Sequence, residues 1–264
     1  METNARYRIL GPVEVRQGDA WVSIAPAKWR ALLAVLLINA GSVVPTDELE
    51  RQLWPQSSPA AARRLVQHYV CRLRRLLGDE QDRRVLRTRP TGYQLLVGPG
   101  ELDADQFTAC AAEGHRALAG GRYAEAAERL RAALSAWRAA TALADVTGVP
   151  SVEVAAAGLD ERRLTATEGW LRASLASGPV EAVIPELQAL VVAHPLRERM
   201  RELLMVALYR AGRRCDALAT GRDLRMVLRE EHGLDPDDAV QRVERMILRG
   251  ESFEVALGTT GRVG

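Results

Sequence analysis

Cysteine is scarce. The three thiols, Cys71, Cys110 and Cys215, lie far apart without CxxC or Cys/His ligand spacing, so neither a disulfide framework nor a zinc site is expected. Aromatic residues make up only 5% of the chain, and no stretch reaches the roughly 18 consecutive apolar residues of a membrane helix. Met1 to Leu10 alternates charged and apolar residues and has no basic region ahead of an apolar core, so no secretory signal is expected and the cytoplasm is the expected compartment. No GxxxxGKS/T phosphate loop occurs, which speaks against a nucleotide switch. His115, His194 and His232 sit in helical contexts without partner motifs, and no Ser/His/Asp signature appears. An enzyme is therefore not expected, nor is a cofactor or a metal.

What remains is a chain of 264 residues, 47% hydrophobic and 27% charged, values ordinary for globular domains and long enough for two cores. The net charge of +2 hides an asymmetry: residues 1–97 carry 15 Lys/Arg against 9 Asp/Glu, a net +6, and residues 98–264 carry 21 against 25, a net −4. The basic part therefore has a candidate anionic partner.

Arg6 to Gly11, Val13 to Gln17 and Trp21 to Ala25 alternate apolar and polar residues and read as three short strands. Residues 26–39 read as an amphipathic helix that Gly41 stops, and a short helix carries Leu49, Leu53 and Trp54. After a turn, Ser58 as N-cap and Pro59 at the first helical position are expected to open a helix that runs to Leu77 and ends at Gly78. Arg84 to Thr88 and Tyr93 to Val97 read as a hairpin around Arg89-Pro90-Thr91-Gly92. Past Gly98-Pro99-Gly100 strands disappear, and alanine-rich helices broken at glycines continue to about residue 250. Gly178 and Gly212 stand 34 residues apart, the tetratricopeptide period, but Gly121 to Gly178 is 57, an irregularity attributable to a loop around Val146 to Ser151. The expected architecture is mainly α with a small β component: a winged helix-turn-helix over residues 1–97, an all-α tetratricopeptide-like domain over 98–252 and a flexible tail over 253–264.

The Pro59 to Leu77 helix carries the sharpest functional signal. Val66, Val70, Leu73 and Leu77 form an apolar stripe, and Arg64, Gln67, His68, Cys71, Arg72 and Arg75 lie opposite, flanked by Arg63 and Arg74. Such a helix suits a DNA major groove, where Arg forks to guanine and Gln pairs with adenine. Taken alone such a face reads more readily as a solvated charged surface; the preceding short helix and the following Arg-bearing hairpin turn the reading to recognition. Arg87 and Arg89 stand where a hairpin tip would reach the minor groove or its phosphates.

Lys28-Trp-Arg-Ala-Leu-Leu, Leu53-Trp54, Tyr69-Val-Cys-Arg-Leu-Arg-Arg-Leu-Leu-Gly78 and Arg87-Thr-Arg-Pro-Thr-Gly-Tyr93 resemble an OmpR/PhoB-type winged helix, the effector domain of two-component systems. Leu196-Arg-Glu-Arg, Leu208-Tyr-Arg-Ala-Gly-Arg and Glu231-His-Gly-Leu-Asp-Pro236 resemble the bacterial transcriptional activation domain. Over residues 5–250 the chain resembles a short-form Streptomyces antibiotic regulatory protein. That resemblance implies an activator of secondary-metabolite genes that binds double-stranded DNA at direct repeats near the −35 element, as a dimer or higher oligomer. It also implies recruitment of RNA polymerase through its sigma or alpha subunit. By position it implies base contact for Arg72, Gln67 and His68 and a wing role for Arg89. Trp29 departs from the glutamine common in the first helix. A repressor with the same DNA-binding mode and a tetratricopeptide-like protein-binding scaffold are the competing readings.

Overall fold

The computed structural model describes residues 5–81 and 83–251, so the expected tail over 253–264 lies outside the described residues. The described residues fall into two compact units, Met1–Cys110 with Ala132–Leu164, and Ala111–Arg131 with Thr165–Gly264. No helix among them is long and apolar enough to cross a membrane.

In the first unit, strands β1 (Tyr7–Arg8), β2 (Glu14–Gln17) and β3 (Ala20–Ser23) form an antiparallel sheet in the order β1-β2-β3. Strand β1 is shorter than the sequence pattern suggests, because Ile9 and Leu10 give their N–H groups to the Asp103 carboxylate, at 2.8 and 3.1 Å, and not to a neighbouring strand. Helix α1 (Ala27–Ile38) follows and buries every residue from Ala31 to Leu37. The amphipathic helix expected here is thus apolar all round after its first turn, because α2, α3 and β6 pack against it.

Strand β4 (Val43–Pro45) leads directly into α2 (Thr46–Leu53), and α3 (Ala62–Leu76) precedes the hairpin β5 (Leu86–Thr88) and β6 (Gly92–Leu95). The three strands form a second antiparallel sheet in the order β4-β6-β5, with Val44 opposite Tyr93 and Thr88 opposite Tyr93 on the other side. Sequence reading misses β4: three residues with one buried side chain are too few to show alternation. It also places the start of α3 too early. No side chain caps this helix; the Ala62 N–H closes a turn on the Pro59 carbonyl at 2.9 Å, so Ser58 is not its N-cap.

Residues 132–164 also belong to this unit. Arg138 pairs with Glu14 at 2.8 Å, Asp145 pairs with Arg30 at 3.1 Å and accepts the Val13 N–H at 2.9 Å, and the Phe107 and Trp137 rings meet edge to face at 5.5 Å.

Helix α4 (Asp103–Ala119) turns at Gly121 into α5 (Tyr123–Leu134), and α6 (Pro150–Ser177) is followed by α7 (Ile184–Ala193), α8 (Glu198–Arg210), α9 (Arg214–Val227) and α10 (Asp238–Arg249). In the second unit Ala117, Ala126 and Ala173 are fully buried together, small side chains that let helices approach closely. Helix α8 packs on α7, α9 and α10. Gly212, at φ +75°, makes the α8–α9 turn in a left-handed conformation that side chains with a Cβ rarely adopt. These are the helical hairpins that the glycine spacing announces.

Candidate nucleic-acid interface

Helix α3 stands against α1 and α2 through the stripe Val66, Val70 and Leu73, each at most 1% exposed, and Leu77 closes the stripe beyond its last turn. This amphipathicity sets the orientation of the helix. With four core anchors at i, i+4, i+7 and i+11, the side chains of Arg64, Gln67, His68, Cys71, Arg72 and Arg75 are turned outward, and all six are exposed. The C-terminal end is tied down by Arg6, which donates to the Leu77 carbonyl at 2.8 Å, and by Gln17, which donates to the Leu76 carbonyl at 2.7 Å. Both satisfy carbonyls that the end of a helix leaves without an intrahelical partner.

The nine residues singled out in the sequence do not share one environment. Arg64 and Gln67 are exposed and bond to no described side chain. Arg72 is near both His68, whose Nε2 is 3.5 Å from its Nε, and the Trp29 ring, 6.0 Å from its guanidinium carbon. Arg63 is exposed but engaged by Asp47 at 2.5 Å and Glu50 at 3.5 Å, both on α2, and Arg75 pairs with Glu80 at 2.8 Å. Pairs this exposed are weak, and phosphate oxygens compete well with such carboxylates.

Arg74 departs from the expectation. It is 7% exposed and donates twice to the Leu86 carbonyl, at 3.0 and 2.9 Å, and once to the Thr88 hydroxyl at 2.8 Å. Burial lowers its pKa from the ordinary arginine value. Its position in α3 points between the helix and β5, so it holds the hairpin to the helix and presents no charge to solvent.

Asp79, which the sequence reading passed over, completes that attachment. Buried just after the α3 C-terminus, it accepts the N–H groups of Arg84 at 2.7 Å, Val85 at 3.1 Å and Leu86 at 2.7 Å. The available signal was an aspartate directly after the helix-ending Gly78, where a short side chain readily bonds backbone N–H groups ahead of it.

At the hairpin, Arg89 and Gly92 exchange backbone hydrogen bonds at 2.8 and 3.2 Å and close a four-residue turn. Arg89 is half-buried and donates to Gln94, which in turn donates to the Gly41 carbonyl at 2.6 Å. Arg87, also half-buried, donates to the Arg84 carbonyl at 3.1 Å. Gly92 is obligatory for close approach: a Cβ there would lie 2.0 Å from the Val44 carbonyl oxygen on β4. The arrangement is a helix with an outward polar and cationic face, followed by a hairpin in which Arg89 is held by Gln94 of β6 and Arg87 by the Arg84 carbonyl ahead of β5.

Residues 24–95 match the family described as "transcriptional regulatory protein, C terminal", and residues 102–248 match the bacterial transcriptional activator domain. The chain belongs to the Streptomyces antibiotic regulatory protein family. Among members of this family it is 34% identical over 253 residues to regulatory protein DnrI of Streptomyces peucetius, covering 93% of each chain. The transcriptional regulatory protein MoaR1 of Mycobacterium tuberculosis is 35% identical over 263 residues, 98% of this chain and 84% of that one. The structure of Mycobacterium tuberculosis EmbR in complex with a low-affinity phosphopeptide superposes with a TM-score of 0.88 at 34% identity, over 96% of this chain and 67% of that chain. The protein is accordingly a DNA-binding transcriptional regulator, built of a winged helix and a helical activator domain.

Proposed function

We propose that this regulator activates transcription by inserting α3 into the major groove at direct repeats near the −35 element of promoters of a secondary-metabolite cluster. The observation that carries the reading is the exposed α3 face, on which Arg64, Gln67, His68 and Arg72 line up opposite a fully buried stripe. Arg72 supplies two donors to a guanine edge, Gln67 a donor and an acceptor to an adenine edge, His68 reads beside them, and Arg63, Arg64 and Arg75 neutralise phosphates. Arg87 and Arg89 lie against the minor groove. Arg74 acts through the hairpin that it fixes.

Residues 1–97 form the DNA-binding domain and 98–252 the activating one, a division supported by the family matches at 24–95 and 102–248. Copies bind side by side as a dimer or higher oligomer, in the cytoplasm at the nucleoid. The helical half contacts the sigma or alpha subunit of RNA polymerase, and the match to an activator domain supports activation over repression.

The test is selection of bound sequences from random duplex DNA, followed by transcription from a promoter bearing the selected repeat with purified polymerase holoenzyme. A repeated motif that vanishes when Arg64, Gln67, His68 and Arg72 become Ala, together with increased transcript, supports the reading. A motif with decreased transcript identifies a repressor. No motif at all removes DNA-sequence reading.

A further inference from the structure

We infer that Trp29 is a positioning residue for Arg72: its indole, projecting from the first turn of α1, holds the guanidinium in the orientation that reads a base. This rests on the proposed role of α3. Trp29 is only half-buried, although a tryptophan on the first turn of a core helix could have turned inward with Leu32, Leu33 and Leu36, which are fully buried. It lies instead beside α3, with the Arg72 guanidinium carbon 6.0 Å from its ring. Arg72 Nε also faces His68 Nε2 at 3.5 Å. The side chain thus has two aromatic neighbours, the imidazole one turn back on its own helix and the indole on α1.

Arg72 has no carboxylate within ion-pairing distance among the described residues, unlike Arg63 with Asp47 and Glu50 or Arg75 with Glu80. An acid would hold the arginine but would repel phosphate and compete with guanine for its donors. An aromatic face restrains the same side chain without taking a donor, and only the Nε–H is turned to His68, so the four terminal N–H donors stay available. Without such restraint, an exposed arginine loses rotamer freedom when it docks on a base, and the loss falls on the matched sequence. Trp29 thereby acts on discrimination at one base pair and not on general affinity for DNA.

The test uses the full chain and the duplex that it selects. Arg72→Ala defines the base pair that this arginine reads, as the position at which matched and mismatched duplexes become equal. Trp29→Leu, which keeps apolar volume without a π face, is expected to lower discrimination at that pair by about 2- to 5-fold, and Trp29→Phe to retain it. In the Arg72→Ala background Trp29→Leu should change nothing further. Thermal unfolding of each variant separates this effect from damage to α1. Equal weakening on all sequences by Trp29→Leu, or the same loss with and without Arg72, overturns the inference and leaves the proposed role of α3 intact. A wild-type chain that selects no motif overturns both.

Discussion

At the scale of single residues, the sign and size of an effect depend on whether a side chain is held by the protein or left to a partner. Arg72→Ala is expected to cost about 1 to 3 kcal/mol of binding at one base position with little change in stability, measured by titration against single-base variants of the selected site. Arg74→Ala should do the reverse. Loss of its bonds to Leu86 and Thr88 is expected to destabilise the fold by about 1 to 3 kcal/mol, seen in denaturant unfolding, and to weaken binding to all sequences alike through a loosened hairpin. A base-specific effect of Arg74→Ala would contradict its placement.

Asp103 offers a pH test. Burial raises its pKa above the ordinary 3.8, against the lowering effect of the N–H groups of Ile9 and Leu10 and the positive charge of Arg138. Between 3.8 and the raised value the folded chain binds the proton that the unfolded chain has released, so this carboxyl's contribution is complete below 3.8 and is lost as pH rises through the raised value. Stability measured across that window should therefore decline more steeply in the wild type than in Asp103→Asn. Parallel curves would refute the assignment.

At the scale of elements, the hairpin depends on a contact between strands distant in sequence. Gly92→Ala would press a methyl group against the Val44 carbonyl oxygen, where 2.0 Å separates them, so β4 must part from β6 or the hairpin must move. The expected result is a loss of several kcal/mol, on the order of other overpacking substitutions or beyond, with reduced protection of the Val44 and Tyr93 amides in hydrogen exchange. Wild-type protection in the variant would show that the turn can yield. Sequence reading assigned this glycine to a hairpin tip and so reached the right element. It did not reach the reason, because β4 is invisible as a pattern and becomes a strand only by pairing with β6. Helix α3 was far more legible, since its core stripe and polar face are both written at helical spacing. Its first turn was not, because Ser58 and Pro59 make a good capping signal that the chain uses for a turn instead.

At the scale of the whole molecule, the winged-helix sequence does not end its dependence on the chain at residue 97. Ile9, Leu10, Val13, Glu14 and Arg30 take partners from Asp103, Arg138 and Asp145. A fragment of residues 1–97 is thus expected to lose cooperative unfolding or to melt well below the full chain by calorimetry, and an unchanged transition would show those contacts to be dispensable. DNA affinity of the intact protein should fall steeply with salt, with a log-log slope of about −0.9 for each phosphate neutralised.

The sequence by itself determined the all-helical character of the later half, the helical hairpins at Gly121, Gly178 and Gly212, and the orientation of α3. These follow from local periodicity and, at Gly121 and Gly212, from a left-handed backbone that glycine adopts easily. Only the tertiary structure decided that Arg74 faces inward, that Asp79 gathers the N–H groups of the following strand, and that Trp29 stands beside Arg72. Each of these depends on what a different segment brings to the same place, and a run of arginines on one helix carries no mark of which guanidinium will meet a carbonyl and which will meet water.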